Sequence, residues 1–253
     1  MLHRRPRTAH PAPARQGVRP SPARLLAALS ACAMFAPLAS AQGACASDGV
    51  PPPPALYERF ISAECEACWR EGPRHAPSPP ALVLDWIVPG ERGDEAPLSA
   101  AATPDARERL RQLGRPIPQG TDTHVAAPAP ASPRSPGLRL AHGLPVNDYV
   151  GVTLALRPRA GMPTGAYRYT VVLAEHIPAG TEQTPVERFV VRGMLQGPWD
   201  VRGTARAASP VREIRPMRIP EGVQAERLFV AGWLEDPQGR IVTAARSRCA
   251  PEP

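Results

Sequence analysis

Leu56-Tyr57-Glu58-Arg59-Phe60-Ile61-Ser62-Ala63-Glu64-Cys65-Glu66-Ala67-Cys68-Trp69 runs from a strand-like segment into a C-x-x-C. Leu56, Phe60 and Ile61 are apolar while Glu58 and Arg59 are polar, an imperfect period of two that predicts a strand over residues 55–63, with the cysteines at its carboxyl end. Two thiols at this spacing can close a small disulfide ring, ligate a metal or belong to a structural pair, and their surroundings must choose. Glu64 and Glu66 flank Cys65 and disfavour a thiolate there; Arg59 and Arg70 are the cations able to offset them.

Downstream, Gly72, Pro73, Pro77, Pro79 and Pro80 leave room for a turn or two of helix at most. Residues 81–88 are almost continuously apolar (Leu82, Val83, Leu84, Trp86, Ile87, Val88), the pattern of a strand covered on both faces. Thr103 suits a helix cap and Pro104 the first helical position. Ala106, Leu110 and Leu113 line one face before Gly114 ends the helix. Residues 115–147, rich in Pro, Gly and Ser, read as a linker with a weak strand near 121–127. Six strand-like runs follow, at 149–156, 166–175, 186–195, 211–219, 225–235 and 240–247. Tyr167, Tyr169, Val171 and Leu173 alternate cleanly, and Asp236-Pro237-Gln238-Gly239 forms a hairpin turn, together predicting a small β-sandwich over residues 148–250. Trp86 and Trp233 belong to the core on this pattern, and Trp69 is placed to cover the cysteines. Trp199 and Trp233 are the aromatic side chains through which the β half would hold a partner if either were exposed.

The amino terminus accounts for the charge. All 30 basic residues are Arg, and six of them precede residue 42, where there is no acid; 24 Arg then face 23 acids. A chain so nearly neutral, with its Arg scattered among acids as a solvated surface, gives no reason to expect nucleic acid. The Arg-rich start, the apolar run 25–38 and Ala39-Ser40-Ala41 have the order of a secretory signal over residues 1–41. The run is too short to span a bilayer, which takes about 20 residues. Leu29-Ser30-Ala31-Cys32 also has the form of a lipoprotein box that would anchor the chain at Cys32, but the apolar residues that follow favour the soluble exported form. Residues 42–54, with four consecutive prolines, read as an extended arm.

Export, periplasmic or beyond in a bacterium, leaves Cys45, Cys65, Cys68 and Cys249 where disulfides persist, and their three pairings stay open. No second closely spaced ligand pair suggests zinc, so neither metal nor cofactor is expected. His75, His124, His142 and His176 stand isolated and read as surface or turn residues.

In order, "LYERFISAECEAC", "VLDWIVP", "PLSAAATPDARERL", "RFVVRGMLQGPW" and "IVTAARS" resemble the exported thioredoxin-like proteins of domain-of-unknown-function family 1223 over most of residues 55–247. The resemblance implies an α+β class: a degenerate thioredoxin-like part over residues 55–114, then the sandwich-like all-β part. It also implies that Cys65 attacks, Cys68 resolves and Pro118, in Ile117-Pro118-Gln119, faces them as a cis-proline, with protein thiols as partners. The alternative is a non-catalytic envelope protein that binds another envelope protein, its cysteines serving as staples.

Overall fold

The computed structural model describes residues 45–71, 81–130, 132, 134–201 and 210–249. The expected export signal with its cleavage site, the Cys32 box and His75 lie outside them.

Eleven strands and two α-helices are present among these residues. They are β1 (Cys45–Ala46), β2 (Leu56–Ser62), α1 (Glu66–Arg70), β3 (Leu82–Val88), α2 (Pro104–Gln112), β4 (Thr121–Ala126), β5 (Gly137–His142), β6 (Tyr149–Arg157), β7 (Gly165–Ile177), β8 (Arg188–Val201), β9 (Val211–Arg218), β10 (Leu228–Glu235) and β11 (Ile241–Arg246). No described helix is long and apolar enough to cross a membrane.

The strands form a four-stranded sheet, β1-β5-β6-β9, and a seven-stranded sheet, β11-β10-β7-β8-β3-β2-β4. In the larger sheet β2 and β3 run parallel, as do β3 and β8, whereas β4 pairs antiparallel with β2. This corrects the expected α+β class: with 48% strand against 12% helix the protein is mostly β, and no thioredoxin-like arrangement is evident. The reason is local. The helix after the cysteines is five residues long, too short to cover a sheet face, and β3 continues laterally into β8, so strands of both halves of the chain share one sheet. Residues 115–147 supply β4 and β5, and the arm supplies β1.

Alternation along the large sheet sorts its side chains between two cores. Leu56, Phe60, Trp86, Val172, Val191 and Trp233 point to the face covered by Ala106 and Leu110 of α2. Tyr169, Val171, Leu173 and Val230 point to the other face, where they meet Leu140, Val150, Val152 and Leu154 of the small sheet. Beyond the small sheet, Ile61, Ile87, Ile177 and Val190 are covered by Ala63, Trp69 and Ala96. Each large apolar side chain so buried contributes roughly 1.5–3 kcal/mol relative to exposure. Thr103 occupies the N-cap of α2, but its hydroxyl is buried and bonds nothing; Pro104 and the left-handed Gly114 (φ +64°) bound that helix as their types suggest.

The Arg residues are not all surface. Arg59, Arg109 and Arg188 are buried, Arg109 between Glu58 (2.8 Å) and Glu235 (2.9 Å), and Arg192 pairs with buried Glu175 at 2.6 Å. Trp199 and Trp233 are buried as well, which removes both as partner-binding aromatics. His142 is buried, contrary to the surface reading, and burial also lowers the pKa of half-buried His124.

Candidate functional site

The structure joins Cys65 to Cys68 and Cys45 to Cys249. Past the end of β2 the chain turns where Cys65 N–H donates to the Ser62 carbonyl (3.0 Å), setting Cys65 as the N-cap of α1. Its Sγ accepts the Cys68 backbone N–H at 3.2 Å. Both cysteines are half-buried. Pro118 is half-buried too, and its segment passes beside the ring. Ser62 N–H donates to the Gly120 carbonyl (2.8 Å), and a Cβ on Gly120 would stand 3.6 Å from Cys68 Sγ. Gly120, two positions beyond Pro118, thus lies against the disulfide.

The flanking acids are engaged away from the sulfurs. Glu64 accepts the Arg92 backbone N–H at 2.8 Å and lies so close to Gly90 that a Cβ there would meet its Oε1 at 2.2 Å. Glu66 pairs with Arg70 at 2.5 Å on the surface. Neither sequence-level cation is free for a thiolate: Arg70 holds Glu66, and buried Arg59 pairs with buried Asp85 on the neighbouring strand.

Below α1 lies a feature that the sequence did not reveal. Arg59 of β2, Asp85 of β3 and Arg188 of β8 lie on three adjacent strands, with Asp85 also accepting the Phe189 N–H at 3.1 Å. The buried guanidinium of Arg188 donates to the carbonyls of Cys68 (3.2 Å), Trp69 (2.5 Å) and Glu71 (2.7 Å), and to Thr184 Oγ1 (3.1 Å). It satisfies the orphan carbonyls at the end of α1 and stacks 5.0 Å from the Trp69 ring. Burial lowers its pKa to about 10, opposed by Asp85 and reinforced by Arg59, so it stays charged at neutral pH. Its signal in the sequence was parity: Arg188 and the core residue Val190 lie two apart on one strand and so share an inward face.

A second clamp comes from the turn between β7 and β8. Glu182 and Gln183 adopt left-handed backbone (φ +47° and +60°) in the two-residue loop between Thr181 and Thr184. The Trp69 indole N–H donates to the Glu182 carbonyl (2.8 Å), and Arg70 reaches Gln183 Oε1 at 3.4 Å. Between this turn and residues 97–101 opens a cleft of about 300 Å³, lined by Glu66, Trp69, Leu98, Ala101, Glu182 and Glu221 among others.

Fold and site together define a mostly β, two-sheet protein carrying a clamped, half-buried C-x-x-C disulfide at the end of a sheet strand. No family model matches the chain, family 1223 included, and no curated protein matches it. Solved structures similar to this chain include the following two. HBP35 of Porphyromonas gingivalis is 11% identical, with a TM-score of 0.47 over 77% of this chain and 74% of that one. A domain of the outer membrane lipoprotein Omp28 from Porphyromonas gingivalis is 12% identical, with a TM-score of 0.32 over 51% of this chain and 98% of the domain. Likenesses this distant do not bear on what the chain does.

Proposed function

We propose that the protein is exported and exchanges disulfides with protein dithiols through Cys65 and Cys68. The observation that supports this best is the division of labour between the two disulfides. In the chain-entropy account a ring with a sequence separation of 3 stabilises by only about 2 kcal/mol, against about 5 kcal/mol for the Cys45–Cys249 link with a separation of 204. The small ring is thus the weaker staple, and it is also the one with a thiolate donor built in: the Cys68 N–H stabilises negative charge on Cys65 Sγ when the bond opens. A partner thiolate attacks Cys68 or Cys65 Sγ and expels the other ring sulfur as thiolate. The partner's second thiolate then attacks the partner sulfur of the mixed disulfide, expels the remaining ring cysteine as thiolate and leaves the partner as a disulfide and the ring reduced by two electrons. The cleft beside Glu66 and Trp69 offers a place for the partner chain to lie.

A mass-spectrometric thiol map of the protein across a glutathione or dithiol redox series tests this. Opening of Cys65–Cys68 above about −270 mV, ahead of Cys45–Cys249, is the expected result. A small ring that resists reduction longer than the large one, or a Cys65→Ser variant that forms no mixed disulfide while Cys68→Ser forms none either, would remove the proposal.

A second reading, a surface that holds another envelope protein, draws on the outward face of the small sheet. Tyr149 of β6 and Ile214 of β9 are exposed there, beside exposed Leu144 and Val146.

A further inference from the structure

The other disulfide has a neighbour that the exchange chemistry does not use. In the small sheet, Cys45 of β1 is the direct cross-strand partner of His142 of β5, an arrangement that brings Cβ atoms to about 5 Å. On the far side of β1, Ala46 exchanges two backbone hydrogen bonds with Arg248 (3.0 and 2.9 Å), which brings Cys249 to the same place. One potential ligand atom from each of Cys45, His142 and Cys249 lies within 4.8 Å of the others, the one such group among the described residues. Cys45 and His142 are each 6% exposed, and Cys249 opens to solvent.

The imidazole is already in the form a ligand needs. Nδ1 is 3.2 Å from the Gly143 carbonyl, a contact that places the ring proton on Nδ1. Nε2 is buried with no hydrogen bond of normal geometry, the Leu228 backbone being close enough to accept a weak one from the ring. Metal-bound histidines are commonly fixed in this way, by a carbonyl on the other ring nitrogen.

We propose that reduction of Cys45–Cys249 converts this staple into a Cys2His site for a thiophilic divalent cation of the Zn²⁺ class. A dithiol reductant supplies two electrons and two protons, breaks the S–S bond and closes its own disulfide. The cation then binds both sulfurs as thiolates, releasing the two protons, and takes the His142 lone pair as third ligand. Water completes the tetrahedron from the solvent side, where Cys249 is exposed. Two thiolates on zinc at about 2.3 Å each stand about 3.8 Å apart, so the sulfurs separate as the cation binds. The metal so bound restores the cross-link that reduction removes.

The test is a Co²⁺ titration, followed by Zn²⁺ displacement, of the full chain carrying Cys32→Ser, Cys65→Ser and Cys68→Ser, reduced with a phosphine under anaerobic conditions. The expected result is one equivalent bound with a sulfur-to-cobalt charge-transfer band that Zn²⁺ abolishes. The oxidised protein should show no such band, and His142→Ala should lose more than about 100-fold in affinity, beyond the loss typical of an outer-shell partner. No band in the reduced protein, or equal affinity in His142→Ala, overturns the proposal. Where reduction unfolds the chain, circular dichroism decides: refolding on one equivalent of Zn²⁺ supports the site, and failure to refold overturns it.

Discussion

Arg188 is the side chain on which the C-x-x-C rests. Three carbonyl oxygens of the α1 end and the Thr184 hydroxyl converge on it, and the neighbouring Asp85 partly offsets the cost of burying its charge. Replacing it by Gln keeps some donors but loses the charge and the fork. Arg188→Gln should therefore destabilise by on the order of 3 kcal/mol, because each abandoned carbonyl forfeits a charge-assisted bond. A merely structural role would move only the urea midpoint. A positioning role also shifts the Cys65–Cys68 potential, and Arg188→Lys, which keeps the charge, should recover part of that shift while leaving stability low. Unchanged potential in both variants would separate Arg188 from the redox pair.

At the scale of elements, the turn between β7 and β8 is held against its own backbone preference. A two-residue hairpin loop with both central residues left-handed favours Asn-Gly, yet Glu182-Gln183 occupies it, fastened by Trp69, Arg70 and an Arg227–Glu182 pair at 3.1 Å. Gln183→Gly should stabilise the protein by about 1 kcal/mol, since only the weak 3.4 Å contact to Arg70 is lost and the left-handed strain is relieved. A drop in thermal midpoint instead would show that the Arg70 contact outweighs the strain. Elements were legible in the sequence where one physical signal dominated. Strand-like runs between Gly and Pro turns located β6 through β11, with clean period two in β7, and the Pro104 and Gly114 boundaries located α2. β5 was hidden because residues 115–147 read as Pro-rich connection, and β4 was faint because Thr121, Asp122 and Thr123 are polar residues of a sheet edge. The cysteine spacing announced the candidate pair. Arg188 announced itself only through its parity with Val190, since by type alone a buried Arg and a solvated one are the same letter, and the site of Cys45, His142 and Cys249 joins residues that only the pairing of β1 with β5 and with residue 248 brings together.

For the whole molecule the decisive question is which covalent link holds the fold. Cys45–Cys249 joins β1 to the residues just past β11, and Ala46 and Arg248 continue the same contact through their backbones. The link therefore closes almost the whole described chain on itself. Cys65–Cys68 closes a single turn whose geometry is already fixed by Ser62, Trp69 and Arg188. Paired Cys→Ser variants, which leave no odd thiol, should separate the two by denaturant titration. Cys45→Ser with Cys249→Ser should lose about 5 kcal/mol, a large share of the 5–15 kcal/mol that domains typically possess, and lower the midpoint with a steeper slope as the denatured chain expands. Cys65→Ser with Cys68→Ser should lose about 2 kcal/mol or less. Equal losses would mean that the small ring is as much a staple as the large one, and the case for exchange at Cys65 would then have only the Cys68 N–H to stand on. A larger loss at the small ring would reverse the assignment and make Cys45–Cys249, with His142 beside it, the redox-active pair.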